Sequence, residues 1–525
     1  MSEEVLKENT IQQDDDSQYL PENPWISVIP TMLAVFIYVI DGTIANVALP
    51  HMAGSFSATR DESMWILTSY LIASGIIIPS VDFFSKLLGR KNFYIISILI
   101  FTIASMLCGM ARNLGEMVIF RVLQGAGGGG ILPISQAIMM ESFPKEKRGM
   151  AMSIFGMGVI FAPIIGPVLG GWITDNWSWP WIFFINVPFG CLAAILAKKL
   201  LFNPPYSHRQ KNVKIDGLGF FFLALWLLCL QVFFDKGNNA DWFNAPWICW
   251  LFALSCISGI CFFVSQIVRK DTLVDLSVFK DRNFVIGTIV QVVMQAVLYA
   301  SLAVLPQFLQ SMMGYTAFLS GFSMMPRGVG CMTATIICAF IADKADKRLL
   351  VAIGLFLLGV AGLDLGFLNL QISNINIMIP NFIMGLGMGL SFIPIINLSM
   401  ETMSNVQMTN ATGLQNLLKN IGSAIGTSLV ATMITRFGQI HQYMMVGKLS
   451  ELNPAFVERV QSTTAALSQY THISVAKHMA EYSQYGTLLK QSSLWAFMDS
   501  FRIFGLLCFM LIPLLLLFKK NKAKG

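Results

Sequence analysis

The chain has 525 residues, of which 55% are hydrophobic and only 12% charged, with a mean hydropathy of +0.64. Soluble globular domains carry about 25% charged residues, so this composition excludes one and points to an all-α integral membrane protein. The net charge of +6 says little about nucleic acid, because the placement of basic residues follows the membrane instead.

Residues 1–24 form an acidic, polar tail (Glu3, Glu4, Asp14, Asp15, Asp16) with no basic start and apolar core of a signal peptide. Apolar windows then fall near 25–48, 63–82, 92–111, 115–139, 149–174, 180–201, 216–234, 246–267, 283–311, 317–342, 349–370, 375–400, 409–434 and 494–518. Fourteen spans put both termini on one side. The loops assigned to that side hold Lys86, Arg90 and Lys91; Lys145, Lys147 and Arg148; Lys198, Lys199, Arg209, Lys211 and Lys214; Arg269, Lys270, Lys280 and Arg282; and Lys344, Lys347 and Arg348. Lys519, Lys520, Lys522 and Lys524 follow in the basic tail 519–525, whereas the short opposite loops hold only Arg60, Arg112 and Lys236. The positive-inside rule therefore predicts both termini in the cytoplasm. One long outside loop, 435–493, is polar and charged with some helical character.

The stretches DFFSKLLGRK (82–91) and AFIADKADKR (339–348) each follow the second helix of a possible six-helix unit. This weak repeat predicts two six-helix bundles, 25–201 and 268–518, with a linker and two extra helices inserted at 202–267, a duplication usual in secondary transporters.

Three stretches place costly groups at membrane depth. Asp41, in IDGTIANVALP (40–50), is a buried-carboxylate candidate, and such a group is by default functional. Arg121, in FRVLQGAGGGGILP (120–133), needs an acceptor, for which Asp41 is the natural candidate. The formal GxGxxG in that stretch lacks a βαβ unit and is rejected as a nucleotide motif. FAPIIGPVLGGWI (161–173) combines Pro163 and Pro167 with the Gly166/Gly170 pair, which predicts a bent helix with a smooth, closely packed face. All nine cysteines lie in apolar windows without CxxC spacing, which predicts neither a disulfide framework nor a metal site.

These residues resemble a known family. DGTIANVALP, RVLQG, APIIGPVLGGWI, WIFFINVPFG (181–190), DWF (241–243), LVDLSVFKDRNF (273–284), LPQFLQSMMGY (305–315) and GLQNLLKNIGSAIGTS (413–428) are similar to motifs of the EmrB/QacA drug:proton antiporters, most of all the EmrB side. The resemblance implies the fourteen-helix branch of the major facilitator fold, in a bacterial inner membrane, exporting hydrophobic or amphipathic compounds with the proton as coupling ion and no cofactor. A dedicated exporter of one metabolite, siderophore or fatty acid is the alternative; a non-transporting sensor or an enzyme fits less well. It further implies proton coupling at Asp41 and Arg121 and an antiporter seal at Pro163, Gly166, Pro167, Gly170 and Gly171. The gating loop G-x-x-x-D-x-x-G-R-[KR] keeps Gly89, Arg90 and Lys91 but has Asp82 and Lys86 at its first glycine and its acid, while the second copy keeps Asp343. Asn46, Gln124, Gln291, Gln295, Asn397, Asn416 and Lys419 are the expected cavity residues; Arg327 and Asp364 are left without a role. Loop 435–493 is expected to dock a periplasmic membrane-fusion adaptor leading to an outer-membrane channel.

Overall fold

The computed structural model describes residues 23–144, 147–201, 216–269, 274–341, 346–403 and 405–519. All its regular elements among these are helical. Apolar windows of some twenty residues without water can satisfy their backbone only internally, so each becomes a helix. In chain order they are α1 Trp25–Ser55, α2 Trp65–Leu88, α3 Arg90–Gly109, α4 Leu114–Ser142, α5 Arg148–Asn176, α6 Trp181–Leu200, α7 Gly217–Gly237 and α8 Pro246–Val268. The series continues with α9 Arg282–Ser311, α10 Ala317–Ile341, α11 Lys347–Leu365, α12 Ile375–Met400, α13 Asn405–Val446, α14 Pro454–Leu467 and α15 Ile473–Leu511.

Among the described residues, twelve helices are long and apolar enough to cross a membrane. The two arms of α5, Arg148–Pro163 and Val168–Thr174, meet at 41° and make a thirteenth as one span. That bend falls on the Pro163–Pro167 segment, where proline removes backbone donors and crowds the preceding turn. The remaining window, 317–342, coincides with α10, whose apolar character is diluted by Pro326 and Arg327. Fourteen spans are thus compatible with the helices seen.

Packing sorts the helices into groups. In the first, α1 packs on α5 and α6, α4 on α2 and α3, and α3 on α6; in the second, α12 packs on α10 and α11, α9 on α13, and α15 on α11 and α13. The groups meet through α5 with α10 and α12, and through α4 and α2 with α13. The pair α7–α8 packs together and touches α2 and α13.

The segment 435–493 differs from a simple polar loop. α13 continues without a break to Val446 and α15 begins at Ile473, giving helices of 42 and 39 residues. At 1.5 Å per residue α13 is about 63 Å long, twice the ~30 Å hydrocarbon core. Cross-links between the two projecting ends hold them together: His441 Nε2 lies 2.8 Å from Asp499 Oδ2, and Gln442 Nε2 donates to the Tyr485 hydroxyl at 3.0 Å. Polarity marked this segment as outside the bilayer, but its residues continue the helix rather than end it.

Candidate functional site: a buried ion pair and a group of buried amides

α1, α3, α4 and α6 converge on one charged cluster. Asp41 and Arg121 are both 0% exposed. Arg121 Nη1 donates to Asp41 Oδ2 at 2.7 Å and to Gln124 Oε1 at 2.8 Å, while Arg121 Nε donates to the Ile66 carbonyl at 3.0 Å. The other carboxylate oxygen, Asp41 Oδ1, accepts from Gln124 Nε2 at 2.9 Å and Asn186 Nδ2 at 2.7 Å. Asn186 also donates to Ser105 Oγ at 3.0 Å, and the guanidinium lies 4.3 Å over the Tyr70 ring. A buried ion pair survives only when its remaining lone pairs and protons find partners, and here both carboxylate oxygens and the guanidinium Nε and Nη1 do. The spacing of Arg121 and Gln124 puts both on one helix face, so both reach the same carboxylate.

The α1–α5 contact flanks this cluster. A Cβ on Gly170 would lie 2.7 Å from Ile44 Cγ1, and one on Gly166 would collide with Thr43 Oγ1. Glycine is therefore required at both positions for the helices to approach this closely. Gly171 has more room, its Cβ position lying 3.8 Å from Val47 Cγ1. Pro163 is partly buried within α5. The side chains of Pro167 and Asn46, and all of Asp343, lie outside the described residues.

The predicted cavity residues separate into two places. Gln124 is fully buried and bonded within the ion-pair cluster. Gln291, Gln295, Asn397, Asn416 and Lys419 sit on α9, α12 and α13. Gln291 Nε2 donates to Ser399 Oγ at 3.4 Å, as does Gln415 Nε2 at 2.8 Å. Asn416 Nδ2 donates across the two groups to Gln136 Oε1 on α4 at 2.9 Å. Four side-chain carbonyl oxygens (Gln291 Oε1, Gln295 Oε1, Asn397 Oδ1 and Asn416 Oδ1) are buried without a hydrogen-bond partner among the described residues. Lys419, 7% exposed, has its ammonium 5.7 Å from the centre of the Phe392 ring. Arg327, 2% exposed, donates to Asn381 Oδ1 at 3.1 Å and Ser301 Oγ at 3.0 Å, and its Nη2 has no partner among the described residues. Asp364 lies exposed near the end of α11.

At the α2–α3 junction Gly89 adopts φ +82°, the left-handed region that favours glycine. Arg90 Nη1 reaches Glu141 Oε2 on α4 at 2.5 Å, and Lys91 Nζ donates to the Leu201 carbonyl at 2.8 Å. Asp82 and Lys86, the two departures from the loop pattern, pair with each other at 2.6 Å. The acid beside Arg90 therefore comes from a different helix, a partner that sequence spacing did not disclose. Asn186 was missed as well, although it lies within the quoted WIFFINVPFG stretch; a lone amide in an apolar window was the available signal.

A multi-helix membrane body with two packed groups, an inserted pair and a fully buried ion pair defines a membrane transporter. Residues 31–427 match the family model described as Major Facilitator Superfamily. The chain is 34% identical over 435 residues to "Probable multidrug resistance protein EmrY" of Escherichia coli (strain K12), covering 82% of this chain and 84% of that one. It is 32% identical over 440 residues to "Multidrug export protein EmrB" of the same strain, again covering 82% and 84%. The crystal structure of the human organic anion transporter MFSD10 (TETRAN) superposes with a TM-score of 0.61, covering 94% of this chain and 100% of that one. At 13% identity this likeness speaks to fold alone. The chain belongs to the Major Facilitator Superfamily, as an EmrB-type secondary transporter rather than an enzyme.

Proposed function

We propose that this protein is a proton-driven multidrug efflux antiporter that exports hydrophobic or amphipathic toxic compounds by alternating access. The observation that carries the reading is the buried Asp41–Arg121 pair, since an ionisable group at membrane depth marks an ion pathway. Protonating Asp41 removes the charge that holds Arg121 Nη1 and weakens the bonds from Gln124 and Asn186. Coupling requires only that proton and cargo each bind the two conformations unequally. The close-packed α1–α5 face, with Gly166 and Gly170 at its seam and the bend at Pro163 and Pro167 beside it, acts in this reading as the seal against leak.

Cargo meets the wall formed by Gln291, Gln295, Asn397, Asn416 and Lys419, with Asn46 from α1. Unpaired amide oxygens accept from a donor-bearing cargo at no loss of existing bonds, whereas burying them unpaired costs about 1–3 kcal/mol each. Lys419 and Arg327 have no acidic partner among the described residues, which favours neutral or anionic amphiphiles over lipophilic cations. Gly89, Arg90, Lys91 and Asp343 belong to the gating loops. The division into bundles 25–201 and 268–518, a bacterial inner-membrane location and cytoplasmic termini complete the reading, supported by the basic-residue bias. The helical projection within 435–493 is the surface we assign to a periplasmic adaptor and, through it, an outer-membrane channel.

In inverted vesicles holding matched amounts of folded protein, Asp41→Asn is expected to abolish efflux driven by a proton gradient. Undiminished efflux in that variant removes Asp41 from the mechanism.

A further inference from the structure

The inserted pair α7–α8 contributes nothing to the ion-pair cluster or the amide wall, yet it is held firmly against both halves. Its turn is latched to α13: Trp242 Nε1 donates to Thr432 Oγ1 at 3.1 Å, and Asp241 pairs with Arg436. Asp241 and Trp242 both sit in the left-handed backbone region, at φ +55° and +53°. Non-glycine residues stay there only when surroundings hold them.

Beside this latch lies an open cavity of about 290 Å³ lined by Glu62, Trp65, Lys236, Asn239, Ala240 and Trp247. Trp65 opens α2, Trp247 lies in the first turn of α8 and Lys236 lies in the last turn of α7. All three therefore stand where helices leave the hydrocarbon, the depth at which indoles prefer to sit. The two indoles are 38% and 48% exposed. Glu62 Oε2 accepts from the Thr59 amide and hydroxyl, both at 2.8 Å, and those bonds hold the carboxyl below its usual range. Its Oε1 is not engaged by any described residue. Lys236 Nζ lies 5.9 Å from the Trp65 ring centre and 3.8 Å from Asp235. Deeper along the same α2 and α7, and against α13, lies a narrow, mostly apolar crevice lined among others by Leu71, Ile72, Leu230, Phe234 and Ile421, with the amides of Gln231 and Asn420 also on its wall.

A charged, aromatic cup above an apolar crevice on the same helices has the outline of a lipid. We propose that this cup binds the head group of a phospholipid that carries a primary ammonium beside its phosphate. The ammonium sits on Glu62 between Trp65 and Trp247, the phosphate lies toward Lys236 and Asn239, and an acyl chain runs along the crevice. A primary ammonium can both donate to the carboxylate and lie against indole faces. A choline head has no N–H to donate, and a glycerol head has no positive charge. Specificity for the ethanolamine head group therefore separates this site from an ordinary aromatic belt, which holds any lipid.

The test uses the purified full-length protein, stripped of lipid in detergent. Lipid retention is read by native mass spectrometry and thermal midpoint by fluorescence, with dioleoyl phosphatidylethanolamine, phosphatidylcholine and phosphatidylglycerol added in turn. The ethanolamine lipid should be retained at least about fivefold better than the others, as expected for one added charge-assisted contact and a cation–π contact. It alone should raise the midpoint. Glu62→Gln and Trp247→Ala should each bring its retention down to the phosphatidylcholine level, and both residues are exposed enough for the fold to persist. Equal retention of the three lipids by the unaltered protein, which needs no variant, overturns the proposal. So does unchanged preference in Glu62→Gln. Soluble phosphoethanolamine should fail to displace the lipid; displacement at equal concentration would show that the cup binds the free head group and would overturn the lipid assignment. None of these readouts involves transport, so they stand apart from the antiport reading.

Discussion

Replacing Asp41 by asparagine tests the ion pair as a physical unit. The side chain accepts three bonds, from Arg121, Gln124 and Asn186. An asparagine offers one oxygen in place of two and turns an NH₂ group toward existing donors. Arg121 keeps the Ile66 carbonyl, Gln124 Oε1 and the Tyr70 ring but loses its counter-charge. Removing one partner of a buried pair costs about 3–5 kcal/mol, because the remaining charge is left uncompensated. For a bundle of this size, a midpoint shift of roughly 2–4 °C per kcal/mol converts that to a fall of about 6–20 °C. Adding Arg121→Gln removes the stranded charge. The double variant should therefore melt above Asp41→Asn alone, with a coupling of about 1–3 kcal/mol. Cys108, fully buried with its thiol 3.6 Å from Gln124 Oε1, offers a local probe. In a background retaining only that cysteine, a thiol-reactive dye follows the opening of the cluster during a thermal ramp. An unchanged midpoint in Asp41→Asn, or a double variant that loses the sum of the two single effects, would refute the pairing as an energetic unit.

Two further outcomes follow from the geometry. Gly166→Val and Gly170→Val place a side chain against Thr43 and Ile44; each should cost about 1–3 kcal/mol by overpacking and raise passive proton leak in reconstituted vesicles, whereas Gly171→Ala, with more room, should change neither. Asn416 and Gln136 join the two groups of helices at 2.9 Å, so a short thiol cross-linker between Gln136→Cys and Asn416→Cys should stop cargo exchange and a reducible linker should restore it on reduction; full exchange in the cross-linked protein would show that this contact does not open during transport.

Much of this architecture was legible because the membrane makes local chemistry decisive. An apolar window must become a helix, a double proline must bend it, and a guanidinium at depth must find an acid; the Asp41–Arg121 contact follows from those costs. What composition could not supply was the direction in which each helix turns its polar residues. Gln124, three residues after Arg121, was legible as a polar group at depth, but only the rotation of α4 brings it to Asp41. Arg90 presents the same problem across a longer distance. Its acid, Glu141, lies 51 residues away at the far end of α4, and the pairing exists because α3 and α4 pack antiparallel with their ends level. Asn186 reaches Asp41 only because α6 packs against both α1 and α3. Burial cost thus tells which residues must be satisfied, and packing alone tells by whom. Four amide oxygens on α9, α12 and α13 and the Nη2 of Arg327 on α10 are among the buried polar atoms left without a partner among the described residues, as are the Ser69 and Ser85 hydroxyls on α2, and such atoms are where an additional binding partner gains most.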